Sequence, residues 1–197
     1  MPSLWKLPIL GPAVFSVWRA DARRKLRLIE PWLDRSDQLL EIGSGPGSVL
    51  TEFRAAGYAV EGLDVSDSAY EDGLKATLYD GAYMPFDDGA FDTALLLTVL
   101  HHTPDPEAIL KEAVRVARRV IIIEDVFESA WQRKYTKVAD SITNLEFFGH
   151  PHTNRSDPEW RDTFNRLELD LVQAEIHRLA AIFQQAVYVV APSSTPA

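Results

Sequence analysis

The stretch Leu39-Leu40-Glu41-Ile42-Gly43-Ser44-Gly45-Pro46-Gly47-Ser48-Val49-Leu50 decides the fold of this 197-residue chain. A short apolar run is followed by glycines at alternate positions and then by apolar residues at helical spacing. This pattern predicts a buried strand, a tight turn and the start of a helix. Glycine lets a ligand approach the main chain closely, and the first turn of a helix offers unpaired N–H groups. We therefore expect a ligand to bind at this turn, although a turn between strand and helix without a ligand has the same pattern.

The spacing of the glycines indicates which ligand this is. The dinucleotide fingerprint is G-x-G-x-x-G, whereas this chain has Gly43, Gly45 and Gly47 followed by Ser48. Glu41 precedes the first glycine, and a carboxylate there suits an amino-bearing ligand and repels a pyrophosphate. The segment therefore resembles motif I of the class I S-adenosylmethionine (SAM) methyltransferases. In that family the loop holds the amino-acid and ribose parts of SAM.

A second acid follows the next predicted strand, Tyr58-Ala59-Val60-Glu61-Gly62-Leu63-Asp64. A carboxylate at the tip of this strand can accept hydrogen bonds from both ribose hydroxyls. The alternative is a helix cap, because Ser66 and Asp67 follow. SAM enzymes and nicotinamide enzymes share this acid, so Asp64 does not separate the two classes.

The resemblance becomes more specific at Asp80-Gly81-Ala82-Tyr83-Met84-Pro85-Phe86-Asp87-Asp88-Gly89-Ala90-Phe91-Asp92. Small methyltransferases of the type 11 group have an acid, a Leu/Met-Pro-Phe, an acidic turn and Phe-Asp in this order. The resemblance implies that Asp80 accepts a hydrogen bond from the adenine amino group and that the Gly81 N–H reaches a ring nitrogen. The alternative is a turn acid that caps its own backbone. The full set of cofactor-binding residues that the resemblance implies is Glu41, Gly43, Ser44, Gly45, Gly47, Asp64, Val65, Asp80, Gly81 and Thr98.

Strands and helices alternate along the chain and end in a predicted hairpin. The predicted strands are residues 39–42, 58–64, 75–79, 93–100, 120–123, 169–176 and 182–190, and the last two are antiparallel neighbours. This order matches the α/β, Rossmann-like, doubly wound methyltransferase sheet of seven strands, mostly parallel with an antiparallel C-terminal strand. The Lys-Pro-Gly-Gly turn that is usual before the fifth strand is missing, which places the chain outside the commonest subgroup.

Three segments follow from this assignment. Residues 1–36 form an N-terminal helical segment, either a solvated helix face, a lid over the substrate or a membrane contact. Residues 37–191 form the SAM-binding domain, with a helical insertion at about 129–166. Residues 192–197 are predicted to be a flexible tail.

Composition narrows the class of partner. The chain has 29 acidic and 20 basic residues, a formal charge of −9, and no cysteine. Nucleic-acid binding usually requires a basic face, so a small-molecule substrate is favoured. Without cysteine there is no thiolate metal site and no cysteine nucleophile. No run is long enough to span a bilayer, and a cytoplasmic location is expected. The oligomeric state stays open.

Histidines are the candidates for acid–base chemistry, because imidazole titrates near neutral pH. His101 and His102 follow the predicted central strand, and we expect one of them to face the pocket. Asp125, Asn144, His150 and His152 are candidates for the substrate pocket, although a hydrogen-bonded structural loop explains the second histidine pair equally well. No metal is expected, because no third ligand stands at a clear spacing.

These observations predict a SAM-dependent methyltransferase that moves a methyl group to a small molecule by in-line displacement. One rival is an NAD(P)-dependent oxidoreductase, against which the glycine spacing, Glu41 and the Asp80 motif all count. The other rival is a methyltransferase-like protein that binds SAM without turnover, because no catalytic base is assured.

Overall fold

The computed structural model describes residues 10–127, 153–179 and 184–193. Its centre is a seven-stranded sheet with the strand order β3-β2-β1-β4-β5-β7-β6. The strands are β1 (Gln38–Ile42), β2 (Ala59–Asp64), β3 (Thr77–Leu78), β4 (Phe91–Leu97), β5 (Ala117–Val126), β6 (Leu169–Arg178) and β7 (Gln184–Pro192). All neighbouring pairs are parallel except those of β7, which runs antiparallel to both β5 and β6. The predicted fold class is confirmed.

Four α-helices cover the two faces of the sheet within the described ranges. They are α1 (Gly11–Ile29), α2 (Ser48–Ala55), α3 (Pro106–Val116) and α4 (Asp157–Arg166). The chain builds β1, β2 and β3 outward in one direction and then returns to place β4 on the other side of β1. In open α/β sheets, ligands bind at this reversal, beyond the carboxyl ends of the strands.

Alternation along the strands divides the core into two layers. Leu39, Leu95, Ile121, Ile123 and Val187 belong to the layer that also contains the buried side chains of α1 and α2. Their sequence neighbours, including Leu40, Leu96 and Ile122, belong to the layer packed against α3 and α4. Because side chains alternate across a strand, any polar residue at a strand end has a face fixed by its position.

Several element boundaries differ from the sequence prediction, and two of them have a clear structural reason. The strand predicted at residues 75–79 is only Thr77–Leu78, because it is the sheet edge and pairs with β2 alone. β5 begins at Ala117, directly after the last residue of α3, so the two elements join without a separate turn. This junction explains why the usual turn motif is missing there.

The helix predicted to begin after Ser156 is confirmed as α4. The Ser156 hydroxyl and the Glu159 carboxylate form a capping box, and Pro158 lies in the first turn. The helix predicted within residues 129–147 lies outside the described residues. None of the helices in the described ranges combines the length and apolar character that a membrane crossing requires.

Candidate active site

One cavity of about 790 Å³ opens at the carboxyl ends of the parallel strands. The glycine loop after β1, the ends of β2 and β4, and one side of α1 form its walls. The reversal of strand order places this cavity between β1 and β4. The predicted residues that line it are Glu41, Gly43, Ser44, Gly45, Asp64, Val65, Thr98, His102 and Asp125.

The glycine loop has the left-handed backbone that its sequence requires. Gly43, Gly45 and Gly47 have φ values of 78°, 49° and 85°. A Cβ on Gly43 would lie 2.3 Å from Cγ2 of Val99, whereas a Cβ on Gly45 would meet no atom within 4 Å. Gly43 is therefore needed for packing, and Gly45 leaves open space beside the cavity. Gly47 begins α2 as its N-cap and packs against Leu74.

Asp64 connects the glycine loop to the end of β2. Its Oδ2 accepts a 2.7 Å hydrogen bond from the Gly45 N–H, and its Oδ1 accepts one of 3.0 Å from the Ser66 N–H. No helix begins directly after Asp64, so this contact caps a turn and not a helix. The carboxylate nevertheless lies in the cavity wall, beside the exposed Val65, and its ribose contact stays a prediction.

Asp80 and Gly81 lie outside the cavity wall, directly after Tyr79, which lines it. Asp80 Oδ1 accepts hydrogen bonds from the N–H groups of Ala82 and Tyr83, at 2.8 and 2.9 Å. These backbone donors lower the pKa of Asp80 from its usual value. The turn-capping alternative accounts for these contacts, and the adenine contact of Asp80 stays a prediction.

Glu41 is the most unusual charged group of the site. It is only 3% exposed, and its Oε2 has no hydrogen-bond partner among the described residues. Burial raises the pKa of Glu41 well above its usual value, while the nearby charge of Lys25 acts in the opposite direction. A buried carboxylate oxygen without a hydrogen-bond donor is costly, so Glu41 is suited to receive a cation from a ligand.

Lys25 of α1 is a site residue that the sequence analysis missed. Its ammonium donates a 2.7 Å hydrogen bond to Oγ1 of Thr98 and lies 3.1 Å from Oδ2 of Asp21. Thr98 has a φ of 64°, which is rare for a residue with a branched Cβ and is typical of functional turns. The only sequence signal was the Asp21/Lys25 pair at i,i+4, in a stretch that reads equally well as a solvated helix face.

The two adjacent histidines have different surroundings. His101 is 1% exposed, and its Nδ1 lies 2.6 Å from Oε2 of Glu124. Oε1 of Glu124 also accepts a 2.7 Å hydrogen bond from the Leu100 N–H, which fixes the turn after β4. His102 is half-buried and lines the cavity. The structure therefore places His102 at the candidate site and His101 beneath it.

A polar connection crosses the cavity wall from α1 to β5. Gln185 of β7 donates a 2.8 Å hydrogen bond to Oδ1 of Asp125 and accepts one of 2.8 Å from Nη2 of Arg24. Arg24 and Gln185 were also missed, because a helix residue and a strand residue 161 positions apart meet only through the packing of α1. The candidates Asn144, His150 and His152 lie outside the described residues. In the described part of the chain, no three His, Cys, Asp or Glu side chains are grouped to hold a metal ion.

Comparison with known families agrees with this geometry. The model of the methyltransferase domain family matches residues 40–120, which contain the end of β1, the glycine loop, β2 and β4. This stretch of the chain is therefore similar to a methyltransferase domain. A sequence relative, the 27-O-demethylrifamycin SV methyltransferase of Amycolatopsis mediterranei, is 31% identical over 99 residues. The alignment covers 44% of this chain and 36% of that relative, so the chain spans well under half of the protein that it matches.

Solved structures show the same fold. A SAM-dependent methyltransferase from Thermotoga maritima has a TM-score of 0.68 at 19% identity, covering 96% of this chain and 97% of that one. The magnesium protoporphyrin IX methyltransferase of Synechocystis, solved with bound S-adenosylhomocysteine (SAH), has a TM-score of 0.62 at 16% identity. That match covers 92% of this chain and 86% of the other. The chain therefore has the Rossmann-like fold that these two solved structures share.

Proposed function

We propose that this chain binds SAM in the cavity between β1 and β4 and transfers its methyl group to a small molecule. The observation that carries this proposal is Glu41, which lines the cavity beside the glycine loop and whose buried Oε2 has no hydrogen-bond partner in the described part of the chain. An α-ammonium group is the kind of donor that such a carboxylate requires. A dinucleotide would instead bring a pyrophosphate toward this negative charge.

Different residues of the cavity bind different parts of SAM in this proposal. Glu41 accepts from the ammonium group of SAM, and the carboxylate of Asp64 accepts from the ribose hydroxyls. Gly43 and Gly45 let the ligand lie against the main chain. The sulfonium of SAM supplies an activated methyl group, so the protein mainly has to orient the acceptor and exclude water.

His102 is the candidate base for an acceptor that must lose a proton. It lies at the cavity wall next to a buried pair, and the His101–Glu124 contact keeps the turn that carries it in place. Such a base is useful only for some acceptors, because a nucleophile that is already neutral needs no deprotonation. The small-molecule acceptor stays part of the proposal, as does a cytoplasmic location.

Isothermal titration with SAM, SAH and NADH tests this function directly. We expect SAM and SAH to bind and NADH not to bind. The cavity has carboxylates where a dinucleotide needs hydrogen-bond donors to its phosphates. Binding of NADH without binding of SAM would instead support the oxidoreductase class. A methyl-transfer screen with small phenols, amines and quinones then separates an enzyme from a SAM-binding protein without turnover.

The substitution Asp64→Asn tests the ribose contact. We expect SAM to bind about 10- to 100-fold more weakly, which corresponds to the loss of a hydrogen bond to a charged group. Asp67→Asn is the matched control, because Asp67 is exposed three residues later and does not line the cavity. Equal SAM affinity in the two variants would show that the ribose assignment is wrong.

A further inference from the structure

The wall of the cavity opposite the glycine loop carries a connected row of polar side chains. Lys25 and Arg24 both contact Asp21, with N–O distances of 3.1 and 2.7 Å. Arg24 then contacts Gln185, and Gln185 contacts Asp125, each at 2.8 Å. All five side chains line the cavity. The row therefore lies where a second ligand would sit beside SAM.

The two carboxylates of this row differ in the charge of their hydrogen-bond partners. Both cations share Asp21, whereas Asp125 receives a hydrogen bond from the neutral amide of Gln185. Among the described residues, no ion pair involves Asp125 or Glu41. Within residues 10–127, 153–179 and 184–193, these two carboxylates of the cavity thus have no ion-pair partner, and they lie on different strands.

Register explains why these two carboxylates face the same space. Glu41 follows Leu39 by two residues, and Asp125 follows Ile123 by two, so both point to the sheet face that α1 covers. Asp125 pairs with Gln185 across the β5–β7 ladder, beyond the end of β4. Glu41 therefore lies at the glycine loop, and Asp125 lies two strands away, past Thr98.

Burial makes both carboxylates costly to keep ionised. Desolvation raises the pKa of Asp125, while the Gln185 hydrogen bond and the charges of His101 and Lys25 act to lower it, and Glu124 adds to the rise. Desolvation also raises the pKa of Glu41. A cation that binds beside such a group recovers part of this cost, because an opposite charge favours the ionised form.

We propose that Asp125 binds the ammonium group of the methyl acceptor, so that the acceptor is a small amine. This inference rests on the proposed function, in which the single ammonium of SAM occupies Glu41. A second carboxylate then remains in the same cavity, and it has no ion-pair partner in the described part of the chain. A cation from the acceptor would recover part of its burial cost. The relative from Amycolatopsis mediterranei has a name that indicates an oxygen acceptor, so alcohols are the natural comparison.

In this reaction Asp125 is the first acceptor of a proton from the ammonium group. The ammonium of the acceptor gives one proton to the carboxylate, which becomes a carboxylic acid. The free nitrogen lone pair forms a bond to the methyl carbon as the carbon–sulfur bond breaks, and the sulfur keeps that electron pair. The products are the N-methylated amine in its protonated form and SAH. Asp125 returns its proton to water when the cavity opens.

Matched pairs of small probes test the inference on the whole chain. Benzylamine against benzyl alcohol, and butylamine against butanol, are titrated by ligand-observed NMR into protein saturated with SAH. We expect each amine to bind at least tenfold more tightly than its alcohol. In Asp125→Asn this preference is expected to disappear, and in the exposed Asp162→Asn on α4 it is expected to persist.

Other outcomes would overturn the inference in distinguishable ways. If SAH itself does not bind, the proposed function fails together with this inference. If SAH binds but alcohols bind as well as amines, or Asp125→Asn keeps the preference, only the amine assignment fails. A loss of SAM affinity relative to SAH in Asp125→Asn would show that this carboxylate serves the sulfonium instead.

Methyl transfer to the tightest-binding amine tests the proton step separately. At saturating amine we expect Asp125→Asn to lose at least tenfold in rate, while Asp162→Asn keeps the wild-type rate. Equal rates in wild type and Asp125→Asn, or no transfer to any amine that binds, would exclude Asp125 as the proton acceptor. Circular dichroism of Asp125→Asn with and without SAH confirms that the variant is folded when it is tested.

Discussion

Glu41 is a carboxylate that costs stability in the protein without a ligand. Its pKa is raised by burial, so the folded protein holds the proton of Glu41 more tightly than the unfolded chain does. Folding stability therefore falls as pH rises from the usual value of 4.5 toward the raised pKa. The residue suits ligand binding better than it suits folding, which is typical of functional sites.

The substitution Glu41→Gln separates these two contributions. We expect the loss of stability between about pH 5 and about pH 8 to become smaller, because the titrating group is gone. SAM affinity is expected to fall about 10- to 100-fold, since a charge-assisted hydrogen bond is lost. Urea unfolding at the two pH values and isothermal titration measure the two effects.

Glu61→Gln is the matched control for this prediction. Glu61 lies on the neighbouring strand β2, opposite Leu40, and it is exposed. Its substitution should leave both the pH dependence and the SAM affinity unchanged. If Glu61→Gln and Glu41→Gln behave alike, Glu41 has no special role in the cavity.

At this scale the sequence identified the residues whose role depends on local spacing. Glu41, the glycines and Asp64 stand at fixed offsets from a strand end, and the cavity includes all of them except Gly47. Lys25, Arg24 and Gln185 were not predicted, because their positions depend on how α1 packs across the sheet. No local pattern distinguishes a buried lysine from the solvated ones beside it.

Helix α1 is the element that completes the cavity. Phe15 stacks on Tyr70 with ring centroids 4.2 Å apart, and Arg19 forms a 2.5 Å ion pair with Glu52 of α2. Nearer its end, Lys25 contacts Thr98 after β4. The helix is thus fixed at both ends, and its middle carries Asp21 into the cavity wall.

Replacing Lys25 with Met tests whether this anchoring contributes to stability. We expect Lys25→Met to destabilise the protein by about 1–3 kcal/mol, because Asp21 loses one of its cations and Thr98 loses its donor. The methionine keeps an apolar stem of similar length, so packing changes little. Urea unfolding measures the effect.

Lys111→Met on the exposed face of α3 controls for the loss of charge. Lys111 is exposed, and it does not contact Asp21 as Lys25 does. Its substitution should change the free energy of unfolding by about 0.5 kcal/mol or less. Equal stability of the two variants would mean that the Lys25 contacts contribute nothing.

Element types were predictable from periodicity, and element ends were less so. The continuous apolar run of β4 predicts a strand buried on both faces, and all but one of its residues are buried. The length of β3 depends on its having one neighbour, and the direct junction of α3 with β5 depends on how the helix meets the sheet. Neither is encoded in the local sequence.

In the whole molecule, binding and stability are linked through the two-layered core. The cavity lies among residues from β1, β2, β4, β5, β7 and α1, so a ligand there contacts elements that are far apart in the chain. A ligand that binds only the folded protein stabilises it by mass action. The stabilisation then spreads over the cooperative unit rather than over one loop.

Thermal unfolding with SAH measures this linkage. At a concentration 100 times the dissociation constant, we expect a stabilisation of about 2.7 kcal/mol, which raises the melting temperature by about 5–10 °C for a chain of this size. NADH at the same concentration should produce no shift. A shift with NADH and none with SAH would contradict the proposed cofactor.

Strand β7 has a practical consequence through its direction. Because β7 runs antiparallel to its neighbours, its first residues, which include Gln185, reach the cavity. Its last residues lie at the opposite edge of the sheet, where Val190 pairs with Val120. A fluorescent label or surface tether placed near Pro192 would therefore lie at the opposite edge of the sheet from the opening of the cavity. An attachment on the cavity side of α1, near Val17, would instead obstruct the opening of the cavity.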